Sequence, residues 1–467
     1  MRKIKVGLLS FSDGRESVHQ SLCNYIDDCA KQIKAELEKT GQVDVVTASC
    51  VIAGNEDAKK YALELKAQMP DAVIFNVPVF AFPNFSLISA TVLKLPILAI
   101  SNVNAGLPGL GGLQAACNLI NQCGYPCEKL WGDLQNAETL ESAMRFLRAA
   151  YAANELNGQV FGLIGGRSIG MGSGVAPVDR WMQTFGVDVD HMDQSEILRR
   201  SAFVDPQKVE HAFTWLNKNT KVDYDGDKLT EESLREQIRH YYATKDICEE
   251  KDFAFVGVKC HYELSAYHCT QCLSAAFFND PYDWDGPKET RVFTCEADAE
   301  GGLTMQILKL LSGTPVLFAD FRFYDKAKNI FYFCNCGAIA TWFSQRSDTP
   351  EVNLQGVSLK PIIPKYAGKG CHVQYIAKEG RMTFARLTHD QDKFIFTVFT
   401  GTAKELPEAA LKDTCEVWPH MFVEADAPYQ SIIENFDCNH VHAVYGDYVE
   451  EIKLFCQLKN IEFRYIQ

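Results

Sequence analysis

The residues with most chemistry in this 467-residue chain are the acidic run CEADAE, Cys295 to Glu300. It follows the apolar run RVFT and precedes GGLTMQILKLL, whose spacing predicts a helix. Glu296 and Asp298 are therefore expected at the C-terminal edge of a strand, where open α/β sheets place ligand-binding groups. A second apolar strand, PVLFAD, is expected to end in Asp320, 24 residues beyond Glu296, which leaves room for one crossover helix. Two carboxylates at one edge are costly unless a cation or a shared proton relieves them. Far along the chain, FDCNHVHAVYG carries His440 and His442 two apart on a strand-like segment, hence on one face. Two carboxylates with an imidazole suit Mg²⁺ or Mn²⁺ and suit a thiol-seeking metal poorly. The plainer alternative is a helix cap by Asp298 and an ordinary salt bridge to Arg322.

Other motifs are weaker. AGLPGLGG (Ala105 to Gly112) and IGGRSIGMGSG (Ile164 to Gly174) could turn backbone amides towards an anion. Neither has the Lys-Ser/Thr of a P-loop or the full dinucleotide fingerprint, so tight strand-to-helix turns are the expectation. Seventeen cysteines, an odd number, cannot all pair within one chain. Cys50, Cys117, Cys248 and Cys456 sit in apolar runs, as reduced thiols used as small hydrophobes do. A zinc site from Cys260, Cys269 and Cys272, with Cys334 and Cys336, is the sharper alternative, but its second pair lies far off with one intervening residue instead of two.

The elements that must position these groups read as α/β. KIKVGLLSF, QVDVVTASC, DAVIFNV and PILAIS are strands with helices between them, the first helix spanning Glu16 to Lys39, which predicts a parallel sheet wrapped by helices. QVFGLIGG, FAFVGVK and RVFTCE open a second such layer. Beyond about residue 330, IFYFCN, CHVQYIA, RMTFARL and KFIFTVFT, broken by turns such as THDQDK, predict an antiparallel sheet or barrel, followed by the helix YVEEIKLFCQLKN and the strand IEFRYI. Three domains are expected, residues 1–157, 158–312 and 313–467: two parallel, Rossmann-like α/β domains and a β-rich C-terminal domain that completes the site. Apolar residues make up 47% and charged residues 23%, an ordinary globular composition. The net charge is −14 with no basic run, which argues against nucleic acid or an anionic membrane as partner. No stretch is apolar enough to span a bilayer and the N-terminus lacks a signal peptide's pattern, so a cytoplasmic protein is expected.

GVKCHYE, NDPYDWDGP, CEADAEGGLTM and FADFRFYD, between Val256 and Asp325, together resemble the middle of the L-fucose isomerases and their L-arabinose isomerase relatives. GGRSIGMGSGVAPVDRW with DQSEILRR resembles the opening of that family's second domain, NCGA (Asn335 to Ala338) one of its loops, and WPH with NHVHAVYG its closing segment. The resemblance implies Glu296, Asp320 and His440 as metal ligands, with Glu296 and Asp320 also exchanging protons with a sugar. It implies Asn439 and Trp418 as sugar-site residues, places Lys259 and His261 among the substrate contacts, and matches Arg15, in SDGRES, to an arginine delivered from a neighbouring subunit. A homo-oligomer, hexamer or trimer, follows, with Mn²⁺ (Mg²⁺ as alternative) as the cation.

The residue types agree with aldose–ketose isomerisation through a cis-enediol. A carboxylate moves the proton between adjacent carbons, and a divalent cation steadies charge on the two oxygens. The implied substrate is a small sugar of the L-fucose or D-arabinose type. The chain departs from the family in being shorter, in having Lys259 where a substrate-contacting glutamine stands, and in having NVPVFAF where a first-domain tryptophan stands. An ammonium near the sugar suits a negatively charged substituent, so isomerisation of sulfoquinovose to sulfofructose is the second expectation. Lys259 has Glu263 or Glu289 as alternative partners. A non-catalytic sugar-binding protein on the same scaffold is the third; it would be free to lose the metal triad, and all three positions are filled.

Overall fold

The computed structural model describes residues 2–337, 339–391 and 393–467. Ala338 of the NCGA motif and Asp392 of the THDQDK turn lie outside the described residues. The chain divides into two compact units, Met1–Glu155 with Glu450–Lys459, and Leu156–Val449 with Asn460–Gln467.

The first unit is a parallel sheet of β1 (Ile4–Ser10), β2 (Val43–Thr47), β3 (Ala72–Asn76), β4 (Ile97–Ser101) and β5 (Cys127–Trp131). The strand order is β2-β1-β3-β4-β5. β3 and β4, AVIFN and ILAIS, are buried at every position, as strands covered by helices on both faces must be. The edge strands β2 and β5 mix buried with exposed residues. The helix Glu16–Lys39 buries Ile26, Cys29, Ile33 and Leu37, one stripe at helical spacing. Of the cysteines expected in apolar surroundings, Cys117, Cys248 and Cys456 are buried, but Cys50 is exposed because it follows the C-terminal edge of β2 in an open turn.

The second unit begins with another parallel sheet, β6 (Val160–Ile164), β7 (Asp188–Met192), β8 (Phe255–Val258) and β9 (Phe293–Thr294), in the order β9-β8-β6-β7. Next come the strands β10 (Leu317–Asp325), β11 (Ile330–Cys334), β12 (Gly380–His389), β13 (Phe394–Lys404), β14 (His420–Ala425), β15 (His440–Tyr445) and β16 (Glu462–Tyr465). Six of them run antiparallel in the order β12-β15-β10-β11-β14-β13, and pairing of β12 with β13 closes them into a barrel. β16 adds to β13 in parallel. Closure removes the free edges of an antiparallel sheet.

Two expectations are corrected here. CHVQYIA contributes no barrel strand: Cys371–Gln374 pairs with Ser358–Pro361 in a separate three-stranded sheet that also takes Lys221–Val222. Nor do Glu296 and Asp320 end successive strands of one sheet. Glu296 follows β9 of the parallel sheet, whereas Asp320 lies inside β10, which continues to Asp325 through a register shift between Phe321 and Phe323. The aromatic run after Asp320 keeps the strand going.

One element ties sheet to barrel. The helix Ala299–Ser312 is buried along nearly all its length and packs on β8 and on the barrel strands β12 and β15. Among the described residues no helix is long and apolar enough to cross a membrane.

Candidate active site

The candidate site is assembled where β9 ends, where that buried helix starts, and where β10 and β15 run side by side in the barrel. β10 and β15 are in register with Asp320 opposite His440 and Phe318 opposite His442. The chain leaves β9 through a tight turn in which Glu296 and Ala297 adopt left-handed backbone (φ 58° and 52°), a conformation non-glycine residues hold only where the surroundings impose it. That turn points Glu296 back towards the barrel.

Glu296, Asp320 and His440 meet at one atom. His440 Nε2 lies 3.5 Å from Glu296 Oε2 and 3.4 Å from Asp320 Oδ1. These distances are long for hydrogen bonds, and Nε2, fully buried, has no hydrogen-bond partner. The other ring nitrogen is fixed: Nδ1 is 2.7 Å from Asp298 Oδ2. Asp298 caps the helix by accepting from Gly301 N (2.9 Å) and is gripped by Arg386, whose Nη1 and Nη2 donate at 2.6 and 3.0 Å. Burial works against its charge, but Arg386 and His440 outweigh this and hold the Asp298 carboxyl well below the usual carboxylate range. Asp298 is therefore the orienting carboxylate behind the imidazole, and its ion pair is with Arg386 rather than the Arg322 considered from sequence. With a proton held on Nδ1, a neutral His440 would turn the lone pair of Nε2 to Glu296 and Asp320, the arrangement metal-bound histidines use. The donor set, two carboxylate oxygens and one imidazole nitrogen around an orphaned buried atom, fits a hard or borderline divalent cation. Among the described residues no group of three or more His, Cys, Asp or Glu side chains is set to hold a metal ion as it stands. Glu296 and Asp320 share the vicinity of Nε2 without being drawn in to bonding distance.

The remaining expected residues divide. Asn439 Nδ2 donates to Asp320 Oδ1 (3.3 Å) and Asn335 Nδ2 to Asp320 Oδ2 (2.9 Å), so both carboxylate oxygens are held. His261 belongs to the cluster: Nε2 is 3.7 Å from Glu296 Oε1 and 3.1 Å from the Tyr366 hydroxyl, and Nδ1 is 3.1 Å from Ser265 Oγ. Lys259 spends its charge on Glu263, 2.7 Å away. Trp418 is buried, beneath the Arg322 guanidinium. Arg15 belongs to the first unit, where its backbone N–H and Nε both donate to Asp13, at 2.8 and 2.9 Å. His442, the rival ligand, is occupied otherwise: Arg386 Nη1 donates to its Nε2 at 3.0 Å, and burial keeps its imidazole well below the ordinary value. Of the suggested zinc thiols, Cys260 and Cys272 sit beside Cys336, and Cys295, not among those suggested, comes within 3.7 Å of Cys336 between sulfurs, but among the described residues no group of them is set to hold a metal ion. A cavity of about 200 Å³ in the first unit, lined among others by Ser10, Lys31, Lys34 and Cys50, includes none of the site residues.

Sequence reasoning missed Arg386 and Tyr366. Arg386 carried a signal, a charge set between Ala385 and Leu387 inside the strand RMTFARL. Tyr366, in a loop, carried none.

Fold and site together define an α/β protein with a closed antiparallel barrel and a carboxylate–imidazole cluster at the junction of barrel and parallel sheet. The chain belongs to the L-fucose isomerase family. Residues 3–158 match the model of the L-fucose isomerase first N-terminal domain, and residues 333–467 that of the L-fucose isomerase C-terminal domain. Relatives named L-fucose isomerase from Citrobacter koseri and Escherichia coli are each 24% identical over 367 residues, covering 69% of this chain and 62% of the relative. The matched stretch thus spans under two thirds of those relatives. A periplasmic solute-binding protein from Actinobacillus succinogenes with bound D-allose aligns with 67% of this chain and 93% of its own at 12% identity, but the TM-score of 0.18 is too low to bear on the fold.

Proposed function

We propose that this chain is a divalent-metal-dependent aldose–ketose isomerase working through a cis-enediol on a small sugar of the L-fucose or D-arabinose type. The observation that carries the reading is the convergence of Glu296 and Asp320 on the unpartnered Nε2 of His440. Glu296, Asp320 and His440 would hold Mn²⁺, or Mg²⁺ in its place. Bound there, the cation supplies Lewis-acid stabilisation of charge on the sugar's two reacting oxygens. Glu296 takes the proton from the carbon beside the carbonyl and returns it to the neighbouring carbon; Asp320, kept in place by Asn335 and Asn439, exchanges protons with the hydroxyl. Asp298 and Arg386 keep the imidazole oriented. Trp418 offers an apolar face to the sugar's carbons. A homo-oligomer in which Arg15 completes a neighbour's site is part of the same reading.

The test is a screen of L-fucose, D-arabinose, L-arabinose and sulfoquinovose for ketose formation with Mn²⁺ and again after chelation. Ketose from none of them, with metal bound, would favour a sugar-binding protein without catalysis.

A further inference from the structure

Sulfur gathers beside the carboxylate cluster. Cys260, Cys272, Cys295 and Cys336, all in the second unit, are free and buried. Cys336 is their hub: the Cys272 and Cys295 thiols and the His261 imidazole hydrogen-bond to its sulfur. Together these bonds outweigh burial and hold the Cys336 thiol well below the usual thiol range, which favours the form that reacts with peroxides. Cys295 Sγ lies 3.7 Å from Cys336 Sγ, whereas Cys272 Sγ has a further partner in His372 Nδ1 at 3.4 Å. Cys295 and Cys336 each keep 6% of their surface exposed, so only a small oxidant can reach them.

A second observation comes from the residues next to these two in the chain. Cys295 immediately precedes Glu296, in the turn where Glu296 and Ala297 hold left-handed backbone. Cys336 immediately follows Asn335, whose Nδ2 donates to Asp320 Oδ2 at 2.9 Å. One sulfur is thus a single residue from a carboxylate of the site, and the other a single residue from the side chain that holds its partner carboxylate. A disulfide needs its sulfurs about 2.0 Å apart, so closing the 3.7 Å gap draws turn and loop towards each other. A site that works only when its groups are placed to within about 0.5 Å does not tolerate such a shift. Cys117 and Cys127, 3.0 Å apart in the first unit, flank no residue of the site.

We propose that Cys295 and Cys336 are a peroxide-sensitive pair whose disulfide disables the site. The Cys336 sulfur attacks hydrogen peroxide, the O–O bond breaks, and Cys336 becomes a sulfenic acid with release of one water. Cys295 Sγ then attacks the sulfenic sulfur; the S–S bond forms, the S–O bond breaks and a second water leaves. Two thiols have lost two electrons and two protons, and one peroxide has become two waters. A dithiol reverses the bond by exchange. Formation of the bond depends on the two sulfurs alone; its effect on turnover rests on the isomerase reading.

The test treats the whole protein with hydrogen peroxide and maps its disulfides by alkylation, digestion and mass spectrometry. A peptide linking Cys295 to Cys336 should appear, and vanish with dithiothreitol. Mn²⁺ affinity, read by calorimetry, should fall about ten-fold or more on oxidation, the size expected when ligands lose their orienting partners, and return on reduction. Cys295→Ala and Cys336→Ala, checked for folding by melting temperature, should give no linked peptide and keep their Mn²⁺ affinity in peroxide. Should either fail to fold, the wild-type map and its reversal decide. No link, a link from Cys336 to Cys272, a link confined to Cys117 and Cys127, or an affinity unmoved by the bond would overturn the proposal, as would equal loss in both variants. Because the link is read without metal or sugar, reduced protein that binds no Mn²⁺ or makes no ketose sinks the isomerase reading alone.

Discussion

Three carboxylates, Glu296, Asp298 and Asp320, surround His440, and each has a different task set by what else touches it. Asp298 is wholly buried, spends its oxygens on Arg386, Gly301 and Nδ1, and is left with nothing to offer a substrate. Glu296 and Asp320 keep some exposure and face Nε2. Glu296→Gln should therefore leave the fold and lower isomerisation by several orders of magnitude, read as initial rate with Mn²⁺ at saturation, because ligand charge and base are lost together. His440→Ala should abolish metal binding, while His442→Ala should leave metal content intact; the reverse pattern would exchange their roles. Arg386→Met leaves Asp298 as a buried unpaired charge, and should destabilise the protein by about 3–5 kcal/mol in urea unfolding. The carboxylates and His440 were legible in the sequence because a charged run between strand and helix, and a histidine pair in a strand, stand out from apolar neighbours. The grip of Arg386 was not, since nothing local says which of several carboxylates a strand arginine 88 residues away will meet.

At the scale of elements, the site depends on how closely the helix Ala299–Ser312 starts against the barrel. A Cβ on Gly301 would lie 2.6 Å from Asp298 Oδ2 and 2.9 Å from His442 Nε2. Gly301→Ala must therefore push Asp298 off its bonds, and Mn²⁺ affinity should fall about 10–100-fold, the effect of losing a ligand's orienting partner; a titration followed by calorimetry reads it. Unchanged affinity would show that Asp298 does not orient His440. The parallel strands and the helix between Glu16 and Lys39 could be read directly, because their periodicities are long and regular. The placement of Asp320 could not. PVLFAD looks like a strand ending in an acid, but Phe321, Phe323 and Tyr324 continue the pairing, and the partner strands β11 and β15 are decided by barrel closure rather than by local pattern.

Across the whole molecule, stability carries a pH signature. His372 accepts from Ile363 N–H at Nε2 (3.2 Å) while its Nδ1 bonds Cys336 O (2.7 Å), and His420 is similarly held between Thr414 and the Trp418 carbonyl. Burial pushes both down to about 4. The unfolded chain therefore takes up protons between about pH 6.5 and 4 that the folded chain refuses. Each histidine's contribution is complete above pH 6.5 and lost on acidification, by on the order of 3 kcal/mol at most. Comparing wild type with His420→Gln isolates it: the stability gap in urea should narrow between pH 7.5 and 4.5, and a constant gap would mean that His420 is protonated in the folded state. Mn²⁺ should raise the melting temperature and chelation lower it, as binding to the folded state alone requires.

The division of the chain has a consequence for how the protein is made. The helix segment Glu450–Lys459 belongs with Met1–Glu155, and it brings buried Ile452, Phe455 and Cys456, with Glu451 bonded to Arg148 at 3.1 Å. On a ribosome adding roughly 5–20 residues per second, the first unit waits on the order of half a minute for this piece. Through that interval the apolar surface that Ile452, Phe455 and Cys456 will cover stands open, and nascent-chain chaperones are its natural occupants.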